Sequence, residues 1–187
     1  SILINANITT DNGNLTLTAN DTGAVDAQRD SGAAVITMNS SGSGTTINTG
    51  TGTFTATIST KSTSGDITLD NVTAGALVIS NNGATAGSDI LGNVGGVLTI
   101  TGVTTLVAGG NAITLSQSGN DFQDEVIVTS GGDVALRDTN AIELGASTVT
   151  GTYSVTAGGA ITESGDLAIT GVTTLVAGSN AITLDRT

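Results

Sequence analysis

Carboxylates are the groups in this chain most able to do chemistry, because it has no histidine and no cysteine. Two carboxylates on one face could act as acid and base on a glycosidic bond, or hold a hard cation. Asn120, Asp121, Asp124 and Glu125 form the densest local group, with Asp66 and Asp70 next. Asp121 and Asp124 would be the acid/base pair if they left one face together. Such a pair also needs a cation or basic residue beside it and loops that wall a cleft. The turns here are short, and the four basic residues, Arg29, Lys61, Arg137 and Arg186, are scattered. The acids are therefore expected to be solvated turn residues that keep the molecule soluble. No catalytic, cofactor-binding or metal-ligating residue is assigned, and no enzyme activity is expected. A calcium-loaded β-roll would place ligands in every turn. GGDVAL from Gly131 and SGSGTT from Ser41 match only fragments of that repeat, and the place after the glycine pair is Asp133 in one unit but Ala160 in another. At most one weak calcium site near Asp121 is left, and Arg137 with Asp138 reads as a turn ion pair.

Composition excludes more. Four Lys and Arg against sixteen Asp and Glu give a net charge of −12 over 187 residues, so nucleic-acid backbones and anionic membranes are repelled. Without Cys or His there is no disulfide, no thiol nucleophile, and no zinc or iron–sulfur site of the usual ligands. No run of 18 apolar residues could cross a membrane as a helix. Thr-x-Thr pairs (Thr16/Thr18, Thr53/Thr55/Thr57, Thr99/Thr101, Thr148/Thr150) raise the question of ice binding, but their spacings are irregular. Hydroxyls stacked on a wet face are the simpler reading.

Half the chain is Thr, Gly, Ser or Asn, and proline is absent. The apolar residues are mainly Ile, Val, Leu and Ala, so with threonine the β-branched types dominate and strands are expected. One comparison decides the architecture. Leu98 to Leu115 reads LTITGVTTLVAGGNAITL, and Leu167 to Leu184, at an offset of 69, reads LAITGVTTLVAGSNAITL. Only Thr99/Ala168 and Gly110/Ser179 differ, so this is a true internal repeat. Within it a shorter unit of about 20–27 residues recurs. Its markers are LVAGG from Leu106, VTSGG from Val128, VTAGG from Val155 and LVAGS from Leu175. That length suits one coil of a parallel β-helix. It is too short for a propeller blade or a helix–strand unit.

The expectation is thus a single all-β domain over 1–187, a right-handed parallel β-helix of roughly eight coils, the handedness following the usual rule for parallel crossovers. Strict alternation in AITL puts Ile113 and Leu115 inside and Thr114 outside, and likewise Ile182, Leu184 and Thr183. Ile67, Ile90, Ile113, Val134, Ile161 and Ile182 are expected in one buried column. The run RDTNAIELGASTVTG from Arg137 makes the longest spacing and is read as a longer coil or an extruded loop, with an additional strand at Ile142 and Leu144. NLTLTA and AAVITM read as strands, the stretch between them as a protrusion, and Tyr153 as inward-facing.

The repeats LTITGVTTLVAGGNAITL and YSVTAGGAITESGDLAITG resemble those of filamentous haemagglutinin-type exoproteins and related large bacterial adhesins. That resemblance implies a β-helical shaft, exported and displayed on the cell surface. It makes the chain a structural segment whose partners are further coils of the same polypeptide or end-to-end copies of itself. The alternatives are a glycan- or surface-binding module and, after that, a carbohydrate-active enzyme. The chain starts SILINANITT without Met, as a mature product or an excised piece would, and neither end reads as a solenoid cap.

Overall fold

The computed structural model describes residues 1–23, 25, 34–39, 44–59, 64–81 and 87–185. Among them there is no helix, and every paired strand is parallel to its neighbours. Strands form where apolar and polar residues alternate, and each coil lays its strands on those of the coil before. One side of the stack is eight strands deep: β1 (Ile2–Ile4), β4 (Ala34–Met38), β7 (Ser64–Leu69), β10 (Ile90–Gly92), β13 (Ile113–Leu115), β16 (Val134–Asp138), β19 (Tyr153–Ala157) and β22 (Thr173–Val176). A second side holds β2 (Ile8–Thr9), β5 (Thr46–Asn48), β8 (Asn71–Ala74), β11 (Leu98–Ile100) and β14 (Asp121–Phe122). The third side is again eight deep: β3 (Leu15–Ala19), β6 (Thr53–Ile58), β9 (Ala76–Asn81), β12 (Thr104–Val107), β15 (Val126–Ser130), β17 (Ile142–Leu144), β20 (Ile161–Glu163) and β23 (Ile182–Thr183). β18 (Ser147–Val149) and β21 (Leu167–Ile169) make a short fourth sheet. The all-β parallel solenoid and the approximate coil number expected from the repeats are what the chain forms.

Inward residues of successive coils make continuous apolar columns. On the first side Ile36, Ile67, Ile90, Ile113, Val134 and Tyr153 are in register and all are buried. On the third, Phe54, Leu77, Thr104, Val126 and Leu144 align, the buried Thr104 being the polar member that interrupts the column. Beneath the outer faces lies one core cluster running from Ile4 to Ala177.

The register corrects the expected column. Ile67, Ile90, Ile113 and Val134 do stack, but the next member is Tyr153, followed by Thr173. Ile161 and Ile182 stack on Ile142, on the third side. Ile161 is buried, whereas Ile182 is 45% exposed. Chain length between strands is the reason. From Leu115 to Val126 there is room for β14 on the second side, but Leu136 to Ile142 spans only six residues. The chain turns one corner at 139–141 and goes directly to the third side, so the second side ends at β14. The stretch from Val134 to Ile161 is thus neither a long coil nor an extruded loop. One coil runs from Val134 to Tyr153, and the remainder crosses to the next side. The additional strand expected at Ile142 and Leu144 is β17. Coils at the start are longer than the repeats lead one to expect: Ile2 is followed in its column by Ile36, and Ile36 by Ile67. Most of the expected protrusion between NLTLTA and AAVITM lies outside the described residues.

Candidate functional site

Corners are where strand pairing lapses, so backbone N–H groups there need other acceptors. Asp and Asn side chains supply them. Before the first-side column, the Asp66 carboxylate accepts the Asp89 N–H at 3.0 Å, Asp89 accepts the Ala112 N–H at 2.9 Å, and Asp133 accepts the Thr152 N–H at 2.7 Å and its hydroxyl at 2.9 Å. Each acid therefore holds the coil that follows. These bonds keep the Asp133 carboxyl below its ordinary pKa. At the next corner the direction reverses: Asp70 accepts the Thr45 N–H, Asn120 the Leu98 N–H, and Asp138 the Phe122 N–H, each from the coil before.

The comparison of Asp133 with Ala160 set two different sides of the stack against each other. Ala160 precedes a third-side strand, and its first-side counterpart is Thr152. In register, the place before each first-side strand reads Asp66, Asp89, Ala112, Asp133 and Thr152, so the acid recurs at three positions with Ala112 interrupting it. The signal was present as an acid directly before Ile or Val in SGDITL, GSDILG and GGDVAL. It could be read only after the column was known.

The dense acidic group is dispersed by the fold. Asn120 is fully buried, and its amide also donates to the Leu115 carbonyl at 3.1 Å. Asp121 accepts from Gln123 and from Asn140, both at 2.9 Å. Exposed Asp124 caps the N–H of Glu125, and the Glu125 carboxylate crosses one coil to accept the Ser164 hydroxyl at 2.9 Å. Gly145 leaves room for that reach: a Cβ there would meet Glu125 Oε2 at 2.9 Å. Asp66 and Asp70 serve different corners and do not act together. Arg137 and Asp138 are no turn ion pair: both lie in β16, Arg137 exposed and Asp138 1% exposed. Burial pushes the Asp138 carboxyl up, against the bonds from Phe122 and Asn140, and Asp121 nearby adds to the rise.

Two shallow depressions mark the outside. One, about 170 Å³, is walled by Gln123, Asp124, Glu143 and Thr162 over Phe122. Its charged lining residues are Asp124 and Glu143, with no basic side chain beside them. The other, about 390 Å³, lies between the turns carrying Val94 and Gln117, with Val97 and Gly119 in its lining. No group of three or more carboxylates, His or Cys that could hold a metal occurs among the described residues. All three aromatic rings, Phe54, Phe122 and Tyr153, are in the core. Threonine ladders are short: Thr16 and Thr18 stack on Thr55 and Thr57, but Val78 and Ser80 come next.

Residues 55–129 and 131–187 match the model of a family described as repeats of unknown function (DUF5649), together more than half of the chain. No curated protein and no solved structure is matched.

Proposed function

We propose, from the premise that this chain belongs to the DUF5649 family of repeats of unknown function, that it is a structural shaft segment which spans distance by coil-on-coil strand pairing. The observation that carries this is a comparison the chain makes with itself. In the first copy of the repeat, Leu98, Ile100, Leu106, Ile113 and Leu115 are buried under the following coil. In the second copy the same side chains at Leu167, Ile169 and Leu175 are only partly covered, and Ile182 and Leu184 are 45% and 46% exposed. The surface of residues 167–184 is thus one that a further coil fits, whether from the same polypeptide or from an end-to-end copy.

The wider reading places the shaft outside a bacterial cell, in an adhesin or surface filament, without enzyme activity. The likeness of its repeats to haemagglutinin-type exoproteins supports this. A glycan-binding face gains no support from the aromatic residues, since none is exposed.

Grafting residues 116–133 directly after Leu184 tests the shaft reading. The graft should protect the amides of 173–176 from exchange, raise the Tm and reduce any self-association seen by sedimentation. A graft that stays unprotected while the rest of the chain is folded would overturn it. Display of the segment on a bacterial surface, followed by cell-adhesion assays and surface proteolysis, tests the location and role.

A further inference from the structure

The two near-identical segments have the same local structure on different sides of the stack. In the first copy, strands 98–100, 104–107 and 113–115 occupy the second, third and first sides. In the second, strands 167–169, 173–176 and 182–183 occupy the fourth sheet, the first side and the third side. Both triplets are consecutive along the chain's path. Three coils above Ile113 lies Thr173, by way of Val134 and Tyr153, and Ile182 follows it on the next side.

The corners move with the sequence. The Asn111 N–H donates to the Ala108 carbonyl at 3.0 Å, and the Asn180 N–H to the Ala177 carbonyl at 2.9 Å. Gly109 and Gly178 have φ of 60° and 57°. Gly102 sits so close to the coil below that a Cβ would meet the Gly75 oxygen at 2.5 Å, and Gly171 repeats this on the Gly151 oxygen at 2.2 Å. Gly75 and Gly151 belong to different corners, so the same glycine makes the same close approach in two places.

We infer that the period of the long repeat is a screw step of three coils and one side, so that a surface carried by the repeat is presented on successive sides of the shaft. This rests on the shaft reading above. In an array of such repeats the same patch would return to the same side only after three periods, about ten coils or roughly 48 Å at the usual strand spacing. One flat surface laid along a side would not meet successive copies of the patch.

Two measurements test the step. In the natural chain, Ala135→Cys with Ser154→Cys should form a disulfide on oxidation, because the two are register partners at a Cα separation disulfides accept. Ala135→Cys with Thr162→Cys should not form one, and would do so if the period were whole coils. In a chain lengthened by a second copy of residues 116–184 after Leu184, spin labels go at Thr114, Thr183 and the equivalent threonine of the added copy. The screw step predicts an end-to-end distance shorter than the two shorter distances added together. Additive distances, with labels collinear along one side, would overturn it while leaving the shaft reading intact. An added period that remains unprotected from amide exchange would also overturn it, since interchangeable sides require that it dock. Failure of the single-coil graft would speak against the shaft reading itself.

Discussion

Ile113 and Ile182 stand in the same local sequence, NAITL preceded by a Gly-Gly or Gly-Ser turn, yet only the first is fully buried. Replacing each with alanine isolates what tertiary stacking contributes. The substitution deletes three carbons, about 2.4 kcal/mol of transfer free energy at about 0.8 kcal/mol per buried methylene. At Ile113 the columns above and below, Val134 and Ile90, are fixed by backbone pairing and can collapse little. A residual cavity then adds to the transfer cost, placing the loss within about 2–5 kcal/mol. At Ile182, 45% exposed, roughly half of the transfer cost applies and no closed cavity forms, so about 1 kcal/mol is expected. Urea denaturation followed by circular dichroism measures both. Because solenoids can open from one end, amide exchange at 113–115 should be followed in parallel. Equal losses at the two positions, or a larger one at Ile182, would refute the assignment of the second copy to an uncovered edge.

Tyr153 is the only tyrosine, and its buried hydroxyl lacks a hydrogen bond of normal geometry. Burial pushes its pKa up to about 12, the Ser147 hydroxyl opposing, so folded stability should be intact below about pH 10 and fall as pH rises through about 12. Tyr153→Phe should remove that alkaline loss and gain about 1 kcal/mol at neutral pH, measured by denaturation at several pH values. Asp138→Asn should cost about 1–3 kcal/mol, because an amide can accept only one of the N–H groups of Phe122 and Asn140 that the carboxylate now accepts. Since the native carboxyl is raised, the wild-type advantage over Asn should grow as pH falls through that raised pKa; thermal melts from neutral to acidic pH would read it. Gly102→Ala should cost about 3 kcal/mol by forcing coils apart at the Gly75 carbonyl, while Gly110→Ala, with nothing within 4 Å of its Cβ, should be nearly neutral by the same melt.

Local structure was legible throughout. Alternation in TTLVA, AITL and YSVT fixes which residues point inward. Ile113, Leu115, Val134, Leu136, Tyr153 and Val155 all face the core as their alternation requires. Asn-containing and glycine turns stop each strand, and the echo of 98–115 in 167–184 identifies a solenoid. Which side each strand occupies is set by stacking between coils. A strand–turn–strand segment with apolar residues at alternate positions is satisfied by any side that offers a parallel edge and a matching apolar column. The energy that selects the side comes from the coil beneath and from the length of chain available to reach it, which is shorter between Leu136 and Ile142 than between Leu115 and Val126. That same selection decides whether Asp66, Asp89 and Asp133 come to the same corner, and whether Ile113 is buried while Ile182 is half in water. Hydrogen bonding and side-chain packing between near neighbours are properties of the local sequence. Stacking joins stretches a full coil apart, as Ile113 joins Val134, and no local pattern encodes it.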